Sequence, residues 1–470
     1  MSNPRYHINK LWLEAGGQYH AYSVYLSKAD VLELSGEWPQ AEELYRKNLE
    51  FAQKAKAKSQ IAESQIKLFR IMRYMGKAQD PLAPMNEALA IYTEMDDQTG
   101  ISQALNNLGL VHFYQGRQQK AEECFNDLIA RSRRFGDSKH LISGLGNLSQ
   151  LHINRGKYEQ ALDCLKQCCE VSLEENDLGF LIVSYGTMGN VYFYQDKLDL
   201  SSQYYKKQLE LAQKLGDLAN KSVAVGNIGN ILYRQNKLKE AVDCYQTKLE
   251  ISQKLDYKIG IYQSYGNMGL VYADQGRYQE AMDCFKKMLE VSEIAGDPEG
   301  REGGYCGLGT VYAKTGDYLK ARDCFLKAVE IGLEAGLTKE LSSNYCQLAE
   351  ACFMNGDSAK AVEYLEKAIL SARESENEEV LTKTEILAAK LTALTDRARS
   401  EKMLLDILKK QPDKSVEALV CYEIFVINGK AEHRARAMTL FQELYDQTFD
   451  YDYKRMMAEL EKTVFREEKE

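Results

Sequence analysis

Proline is scarce in this sequence, with 6 residues in a chain of 470. A proline inside a helix removes a backbone hydrogen-bond donor and clashes with the preceding turn, so this scarcity favours long, uninterrupted helices. Positive charge is not in surplus either, because 60 Lys and Arg stand against 69 Asp and Glu, for a formal net charge of −9. Phosphate binding needs clustered Lys and Arg, so this balance disfavours nucleic acid as the main partner and mildly favours basic or neutral peptides.

Long apolar runs are missing as well. No stretch approaches the roughly 18 consecutive apolar residues that a membrane-spanning helix needs. The first residues, MSNPRYHINKLWLEAGG, contain no apolar core of the kind that a signal peptide has. The 11 cysteines are an odd number in a long chain, which indicates free thiols in a reducing compartment. We therefore expect a cytoplasmic protein without a membrane partner.

What the chain does have is internal repetition with a period of 40 residues. Each unit contains a small residue, a turn residue seven positions later and another small residue five positions after that, as in Gly109, Gly116 and Ala121. Aligned units begin at Leu105, Leu145, Tyr185, Val225, Tyr265, Tyr305 and Tyr345. The same frame extends backwards through Ala29, Gly36 and Ala41, and more weakly to Gly76.

This spacing predicts two antiparallel helices joined by a tight turn. Two helices approach closely only where their side chains are small, and the turn between them needs a residue that tolerates positive φ. The predicted turn residues are Gly116, Gly156, Asp196, Asn236, Gly276, Gly316 and Gly356. A Gly-Asp pair, such as Gly136-Asp137, is predicted to end the second helix and to start the next unit.

The pattern resembles the tetratricopeptide repeat, with Leu before the first small residue and an aromatic residue four positions after the second. The common unit of that family has 34 residues. The longer unit of this chain is similar to repeats in Pins/LGN-type spindle-orientation adaptors and in bacterial signalling proteins. The resemblance implies an all-α fold, a right-handed superhelix (α-solenoid) of antiparallel helix pairs that stack because one pair cannot bury its apolar face alone.

The repeat pattern also divides the chain. We expect about nine tetratricopeptide-like helix pairs within residues 1–375, because the frame is clear up to that point. Residues 376–470 retain helical periodicity but lose the repeat residues, so they are predicted to be degenerate repeats followed by a capping helix. Solenoids need such a polar cap for solubility.

Candidate catalytic and metal-binding residues do not form a convincing site. Several cysteines recur with the repeat period: Cys124, Cys164, Cys244, Cys284 and Cys324. Successive repeats place them roughly 10 Å apart, too far for shared metal ligation, so they are interpreted as packing residues. His112 and His152 take a position where other repeats carry Tyr192 and Tyr272, which also indicates packing. We expect no enzyme activity, no metal and no cofactor.

The most informative polar pattern is a row of asparagines at one phase of the first helix, which we call the amide ladder: Asn107, Asn147, Asn227 and Asn267. A second row contains Asn190 and Asn230. The resemblance implies that these phases line a concave groove, and an amide both donates and accepts hydrogen bonds. The predicted partner-binding residues are Asn107, Asn147, Asn190, Asn227, Asn230, Asn267, Tyr194 and Arg234.

Glycines stand immediately before the ladder, at Gly146, Gly186, Gly226 and Gly266. They either let a bound backbone come close or relieve crowding between adjacent first helices, and both interpretations stay open. Family members that clamp the carboxylate tail of a chaperone use Lys or Arg beside the asparagine. The residues four positions before the ladder, such as Gln103 and Ser143, are not basic, which disfavours a co-chaperone of that type.

These observations favour a scaffold or adaptor that binds a protein or peptide partner in the groove. Two alternatives remain: a regulatory module that senses a peptide, or the recruiting subunit of a signalling or protease complex. Self-association as a structural scaffold is a further possibility, and the sequence does not decide the oligomeric state.

Overall fold

The computed structural model describes residues 18–35, 37–75, 81–338, 340–448 and 450–467. These residues form 23 α-helices, and no strand occurs among them. The chain divides into two compact units, Met1–Lys207 and Gln208–Glu470, which we call unit 1 and unit 2. The all-α repeat solenoid that the sequence predicts is confirmed. The expected division at residue 375 falls inside unit 2 and stays a prediction.

Unit 1 consists of α1 Gln18–Leu34, α2 Trp38–Ala55, α3 Lys58–Tyr74, α4 Leu82–Glu94, α5 Gln98–Tyr114, α6 Gln118–Phe135, α7 Ser138–Asn154, α8 Tyr158–Glu174, α9 Leu178–Tyr194 and the start of α10 Leu198–Leu215. Odd-numbered helices are the first helices of the repeats, and even-numbered helices are the second helices. Of the residues in the backward extension of the repeat frame, Gly36 and Gly76 lie outside the described residues.

Unit 2 contains the rest of α10 and α11 Leu218–Arg234, α12 Leu238–Lys254, α13 Lys258–Asp274, α14 Tyr278–Ala295, α15 Pro298–Lys314, α16 Tyr318–Ala335, α17 Leu341–Met354, α18 Ser358–Glu374, α19 Glu378–Ala393, α20 Arg397–Lys409, α21 Lys414–Asn428, α22 Ala431–Thr448 and α23 Tyr451–Glu467. The repeat alternation continues through α22. In the described part of the chain, no helix is both long and apolar enough to cross a membrane.

The turns within the repeats adopt the left-handed conformation that the sequence predicts. All seven predicted turn residues have positive φ, including Asp196 and Asn236 at 58°. The turn between repeats also follows the prediction: Gly136 ends α6 with φ 68°, and the side chain of Asp137 accepts a hydrogen bond from the backbone N–H of His140. This carboxylate caps the free N–H groups at the start of α7.

The small residues of the repeat allow an aromatic ring of the second helix to reach the first. A Cβ atom on Gly109 would lie 2.4 Å from Cε1 of Phe125, and one on Gly189 would lie 2.5 Å from Cε1 of Tyr205. Ala121 is fully buried in the same layer. In these repeats the core is therefore an aromatic side chain set against a first-helix glycine.

First helices of neighbouring repeats also contact one another directly, as α5 does with α7 and α13 with α15. Contacts of this kind between alternate helices draw the first helices together, so they lie on the inner side of the curve in each unit. We call the surface that first helices form the inner face of that unit.

Candidate functional site

In unit 1, the ladder amides connect neighbouring first helices. Asn147 on α7 donates a hydrogen bond from Nδ2 to Oδ1 of Asn106 on α5, at 2.7 Å. Asn107 donates to the backbone carbonyl of Gln103 in its own helix, at 2.8 Å. Both ladder side chains are partly buried and retain further hydrogen-bonding capacity. Asn106 was not among the predicted residues, because it occupies the position that glycine holds in the following repeats.

The second row has a structural partner that the sequence analysis did not identify. The hydroxyl of Tyr205 donates to Oδ1 of Asn190 at 2.6 Å, and the hydroxyl of Tyr245 donates to Oδ1 of Asn230 at 2.9 Å. Burial raises the pKa of both tyrosines, so the hydroxyls stay protonated. Each bond holds an amide by its oxygen and leaves the Nδ2 hydrogens to donate elsewhere.

The repeats themselves contain the signal for this pairing. Tyr45, at the corresponding position of the first repeat, donates to Oδ1 of Asp30 at 2.6 Å. Repeats in which the aromatic residue is Phe125 or Phe285, without a hydroxyl, carry an apolar residue such as Leu110 at the acceptor position. In the repeats of Tyr45, Tyr205 and Tyr245, the tyrosine therefore follows its acceptor by 15 residues.

In unit 2, the ladder is less fully hydrogen-bonded. Asn267 on α13 donates from Nδ2 to Oδ1 of Asn230 on α11, at 3.4 Å. The side-chain amide of Asn227 makes no hydrogen bond to any residue that the structure describes, although Asn227 is partly buried. A partly buried amide without a partner has donor and acceptor capacity available for a ligand.

The glycines before the ladder do not share one environment. A Cβ atom on Gly226 would lie 2.8 Å from Cδ of Lys248, and one on Gly266 would lie 2.9 Å from Sδ of Met288. These two glycines thus make room for side chains of the second helix in their own repeat. Gly146 has open space at its Cβ position, so close approach of a bound backbone remains possible there.

The other two predicted residues lie at the ends of first helices. Tyr194 ends α9, is 58% exposed and stacks on Tyr158 with ring centroids 6.4 Å apart. Arg234 ends α11. We call this repeat position the rim column, and its members are Tyr114, Asn154 and Tyr194 in unit 1, and Arg234, Asp274, Lys314, Met354 and Leu394 in unit 2.

Unit 1 contains a pocket of about 440 Å³ on its inner face, lined by α3, α5 and α7 and including Asn106 and Asn107. Lysine and arginine side chains enter it from α3. Lys67 pairs with Asp30 at 2.6 Å, and Arg70 pairs with Glu33 at 2.6 Å. Lys67 occupies the ladder position of the second repeat, one repeat before Asn107, so a cationic side chain lies at the ladder phase itself. The phase that the sequence analysis considered, four residues earlier, holds Glu63 in this repeat.

Unit 2 encloses a larger cavity of about 700 Å³, lined by α15, α17, α19, α21 and α23. Met354, Leu394 and Val426 line it and are 42%, 62% and 59% exposed. Lys390 also lines it and lies 3.1 Å from Glu423 and 3.8 Å from Glu350. Burial lowers the pKa of Lys390, but the two carboxylates outweigh burial and raise it overall. The cavity wall is thus mainly apolar, and Lys390 in it is paired with carboxylates of the chain.

Comparison with known families settles the classification of these repeats. A model of the tetratricopeptide repeat matches residues 100–174, 180–254, 221–294 and 301–374, more than half of the chain. The chain belongs to the tetratricopeptide repeat family. A model of anaphase-promoting complex subunit 5 matches the smaller range 32–117. No curated protein matches the sequence.

Solved structures share the fold of this tetratricopeptide repeat protein at low sequence identity. A Signal Transduction ATPase with Numerous Domains protein with a tetratricopeptide repeat sensor, from Pyrococcus horikoshii, is 17% identical with a TM-score of 0.53, over 74% of this chain and 52% of that chain. The chain thus spans about half the length of that protein.

This chain aligns with almost the whole length of two further solved structures. A Rap protein complexed with Competence and Sporulation Factor is 18% identical with a TM-score of 0.52, over 76% of this chain and 99% of that chain. The apo form of the quorum sensor NprR from B. thuringiensis is 14% identical with a TM-score of 0.51, over 79% of this chain and 99% of that chain. At these identities the likeness shows the fold.

A tetratricopeptide repeat protein is a protein-interaction or peptide-binding module, and the fold is typically non-catalytic. The recurring cysteines agree with the packing interpretation: burial raises the pKa of Cys124 and of Cys164 to about 11, which keeps both thiols protonated. Among the described residues, no group of three or more His, Cys, Asp and Glu side chains is placed to hold a metal ion.

Proposed function

We propose that this chain is a scaffold or adaptor that binds extended segments of a partner polypeptide along the inner face of each unit. In each unit the ladder amides pair with the backbone of the segment. Tyr194 in unit 1 and Arg234 in unit 2 contact its side chains at the rim. Asn190 and Asn230 donate from the Nδ2 groups that their tyrosine partners leave free. The cytoplasmic location is part of the proposal and is supported by the free state of all 11 cysteines.

The observation that carries the proposal is the amide of Asn227. It lies on a first helix between Asn230, which is held by Tyr245, and Val223, which is 47% exposed. Asn227 is only partly buried, so its amide atoms can be reached from solvent and are available to a ligand. A peptide backbone offers the donor and the acceptor that this amide lacks.

The test compares two double variants that remove the same number of amides. Asn227→Ala with Asn267→Ala removes two ladder amides from α11 and α13. Gln246→Ala with Gln279→Ala removes two exposed amides from the second helices of the same two repeats. A peptide selected on the wild-type chain from a displayed random library serves as the ligand, and its affinity is measured by calorimetry.

We expect the ladder variant to bind about tenfold more weakly, since each lost hydrogen bond contributes about 0.5–1.5 kcal/mol. The control variant should bind like the wild type, and circular dichroism should show that both variants stay folded. Equal affinity of all three proteins would contradict the assignment of the ladder as the binding surface.

A second candidate function is that the bound segment is a free regulatory peptide instead of part of a larger partner. It is favoured by the fold shared with a Rap protein complexed with Competence and Sporulation Factor and with the quorum sensor NprR. The size of the ligand distinguishes the two candidate functions. A short free peptide that raises the melting temperature of the chain supports the peptide-sensing function. A segment that binds only within a folded partner supports the adaptor or the recruiting subunit of a larger complex.

A further inference from the structure

The final helix of unit 2 returns to the inner face of that unit. Nη1 of Arg455 on α23 donates a hydrogen bond to the backbone carbonyl of Lys314 on α15 at 3.0 Å, across 141 residues of sequence. Most contacts in a stack of repeats join neighbouring repeats, so stacking alone does not explain a contact across 141 residues. The first turn of α23 explains it.

A lysine of the rim column holds the first turn by charge. Nζ of Lys314 lies 2.7 Å from Oδ2 of Asp452 on α23 and 3.5 Å from Oδ1 of Asp274 on α13. The lysine side chain is only 17% exposed. Burial lowers its pKa, but the attraction of Asp452 and Asp274 outweighs burial and raises it. The lysine therefore stays charged, and Asp452 acts as the carboxylate that the rim column binds.

An aromatic ring lies beside this ion pair. The ring of Tyr451 packs edge-to-face on Tyr278, with centroids 6.3 Å apart. It also lies over Gly276, where a Cβ atom would be 2.9 Å from Cγ of Tyr451. The glycine turn between α13 and α14, with φ 71°, thus forms a shallow seat for an aromatic side chain.

The body of α23 is supported elsewhere. Tyr453 stacks on Phe441 of α22 with centroids 6.0 Å apart, and Leu460 is fully buried in the same cluster. Residues 451–455 make the contacts with Gly276 and Lys314, and a cavity of about 700 Å³ lies between α23 and the first helices. A helix that bridges a cavity in this way makes few of the close contacts that hold a packed core.

Polar groups near this contact are also left unsatisfied. Four atoms there are buried without a hydrogen-bond partner among the described residues: the hydroxyl of Tyr278, Oε1 of Gln347, Oδ1 of Asp452 and Nε of Arg455. A polar atom that is buried without a partner has lost its bonds to water without compensation. The first turn of α23 thus makes specific charge and ring contacts, while several polar atoms around these contacts lack hydrogen-bond partners.

We propose that residues 450–456 are a displaceable occupant of the inner face of unit 2, and that they compete with a partner segment of the same chemistry. That segment presents a carboxylate to Lys314 and an adjacent aromatic ring to Gly276 and Tyr278. The inference rests on the proposed function, because it names the kind of segment that the inner face accepts. It uses the rim column rather than the ladder amides, so the two can fail separately.

The probe is a synthetic peptide of residues 450–462, with an Asp452→Asn version as the matched control peptide. It is titrated into the wild-type chain and into a chain with Tyr451→Ala and Asp452→Asn, which weaken the internal contact. Asp446→Asn, on an exposed side chain of α22, is the matched control variant. Lys314→Ala removes the receptor residue.

We expect the peptide to bind the Tyr451/Asp452 variant about tenfold more tightly than the wild type, because the internal competitor is weakened. The Asp446 variant should match the wild type. The Asp452→Asn peptide and the Lys314→Ala chain should each bind severalfold more weakly. Equal affinity of the probe for the wild type and the Tyr451/Asp452 variant, or no binding to that variant, overturns the proposal.

Hydrogen exchange on the wild-type chain provides a measurement that does not depend on a variant. An excess of the probe should accelerate exchange of the first-turn amides of α23, and unchanged exchange at saturating probe overturns the proposal. A probe that still binds after Asn227→Ala and Asn267→Ala supports the internal competitor even if the ladder fails its own test.

Discussion

The inner faces of unit 1 and unit 2 carry amides at the same repeat position but balance their cationic side chains differently. In unit 1, Lys67 and Arg70 pair with Asp30 and Glu33 of the adjacent first helix. In unit 2, Lys314 takes one of its carboxylates from the last helix of the chain. Neighbouring repeats thus supply the carboxylates for Lys67 and Arg70, whereas Lys314 takes one carboxylate from Asp452, which lies far away in the sequence.

This comparison also limits what the net charge of the chain indicates about its partner. A formal charge of −9 mildly favoured basic or neutral partners. The inner faces instead concentrate lysine and arginine beside the amides, and these groups bind carboxylates within the chain. The net charge of the whole chain therefore does not describe the local arrangement on these faces, where cations and carboxylates alternate at close range.

The largest expected effect tests whether the two units share one packing rule. Gly109→Ala in unit 1 and Gly269→Ala in unit 2 would place a Cβ atom 2.4 Å and 2.9 Å from the rings of Phe125 and Phe285. We expect a loss of about 2 kcal/mol or more in unfolding free energy, larger for Gly109, because the rings have little room to move. Urea denaturation measures both losses.

Gly146→Ala is the matched control, since its Cβ position is open. It should stabilise the chain by up to about 1 kcal/mol through helix propensity. A comparable loss at all three glycines would show that backbone conformation, and not ring packing, determines the requirement for glycine.

The next prediction contrasts the two lysines. Lys314→Met leaves Asp274 and Asp452 facing each other with little solvent, whereas Lys67→Met leaves Asp30, whose side chain is 38% exposed. We expect Lys314→Met to lower the local stability of α23 by about 2 kcal/mol, and Lys67→Met to cost about 1 kcal/mol or less. Hydrogen exchange of the helix amides measures each, and equal effects would remove the distinction between the two faces.

A smaller effect is expected from the buried tyrosines. Tyr205→Phe leaves Oδ1 of Asn190 without its donor, so we expect a loss of about 1 kcal/mol. Tyr245→Phe should cost less, because Asn230 still accepts from Asn267 at 3.4 Å. Thermal denaturation compares the two variants.

Adding Asn190→Leu to Tyr205→Phe reproduces the apolar combination that Phe125 and Leu110 form. The double variant should recover most of the stability that the single variant loses. A double variant as unstable as the single one would show that the Tyr205 hydroxyl acts through some other contact.

The smallest expected effect is a pH dependence of stability that is confined to unit 1. Burial lowers the pKa of His112 and of His152, which both lie in unit 1. A base with a lowered pKa in the folded state takes up protons more readily when unfolded, so unit 1 should lose stability as pH falls below the unfolded value of about 6.5. Changing both residues to Tyr, as in the repeat of Tyr192, should abolish this loss in melting experiments between neutral and mildly acidic pH.

The turns and helix pairs of the fold were predictable from sequence because the same residue pattern recurs in successive repeats. Every predicted turn residue, from Gly116 to Gly356, has the expected positive φ. The tyrosine acceptors were also within reach of the sequence, since Tyr45, Tyr205 and Tyr245 each follow Asp or Asn by 15 residues. That covariation became visible only when the hydroxyl contacts were known.

Other parts of the candidate site could not be predicted. Lys67 lies in the weakest repeat of the series, so its place in the ladder position was hidden. The pairing of Lys314 with Asp452 depends on how many helices curve between them, and no periodicity in the sequence encodes that distance. That the ladder amides bind a partner stays a prediction, because it follows from their position and their free hydrogen-bonding capacity.

The contact between Arg455 and Lys314 also has a consequence for the order in which the chain folds. Contacts within and between adjacent repeats close short loops, whereas this one closes a loop of 141 residues. Loop closure is slower and entropically less favourable at such separations, so local contacts form first. The repeats of unit 2 should therefore assemble before the last helix docks. Between those two events, during synthesis or refolding, Lys314 and the seat at Gly276 are accessible to any acidic, aromatic segment nearby.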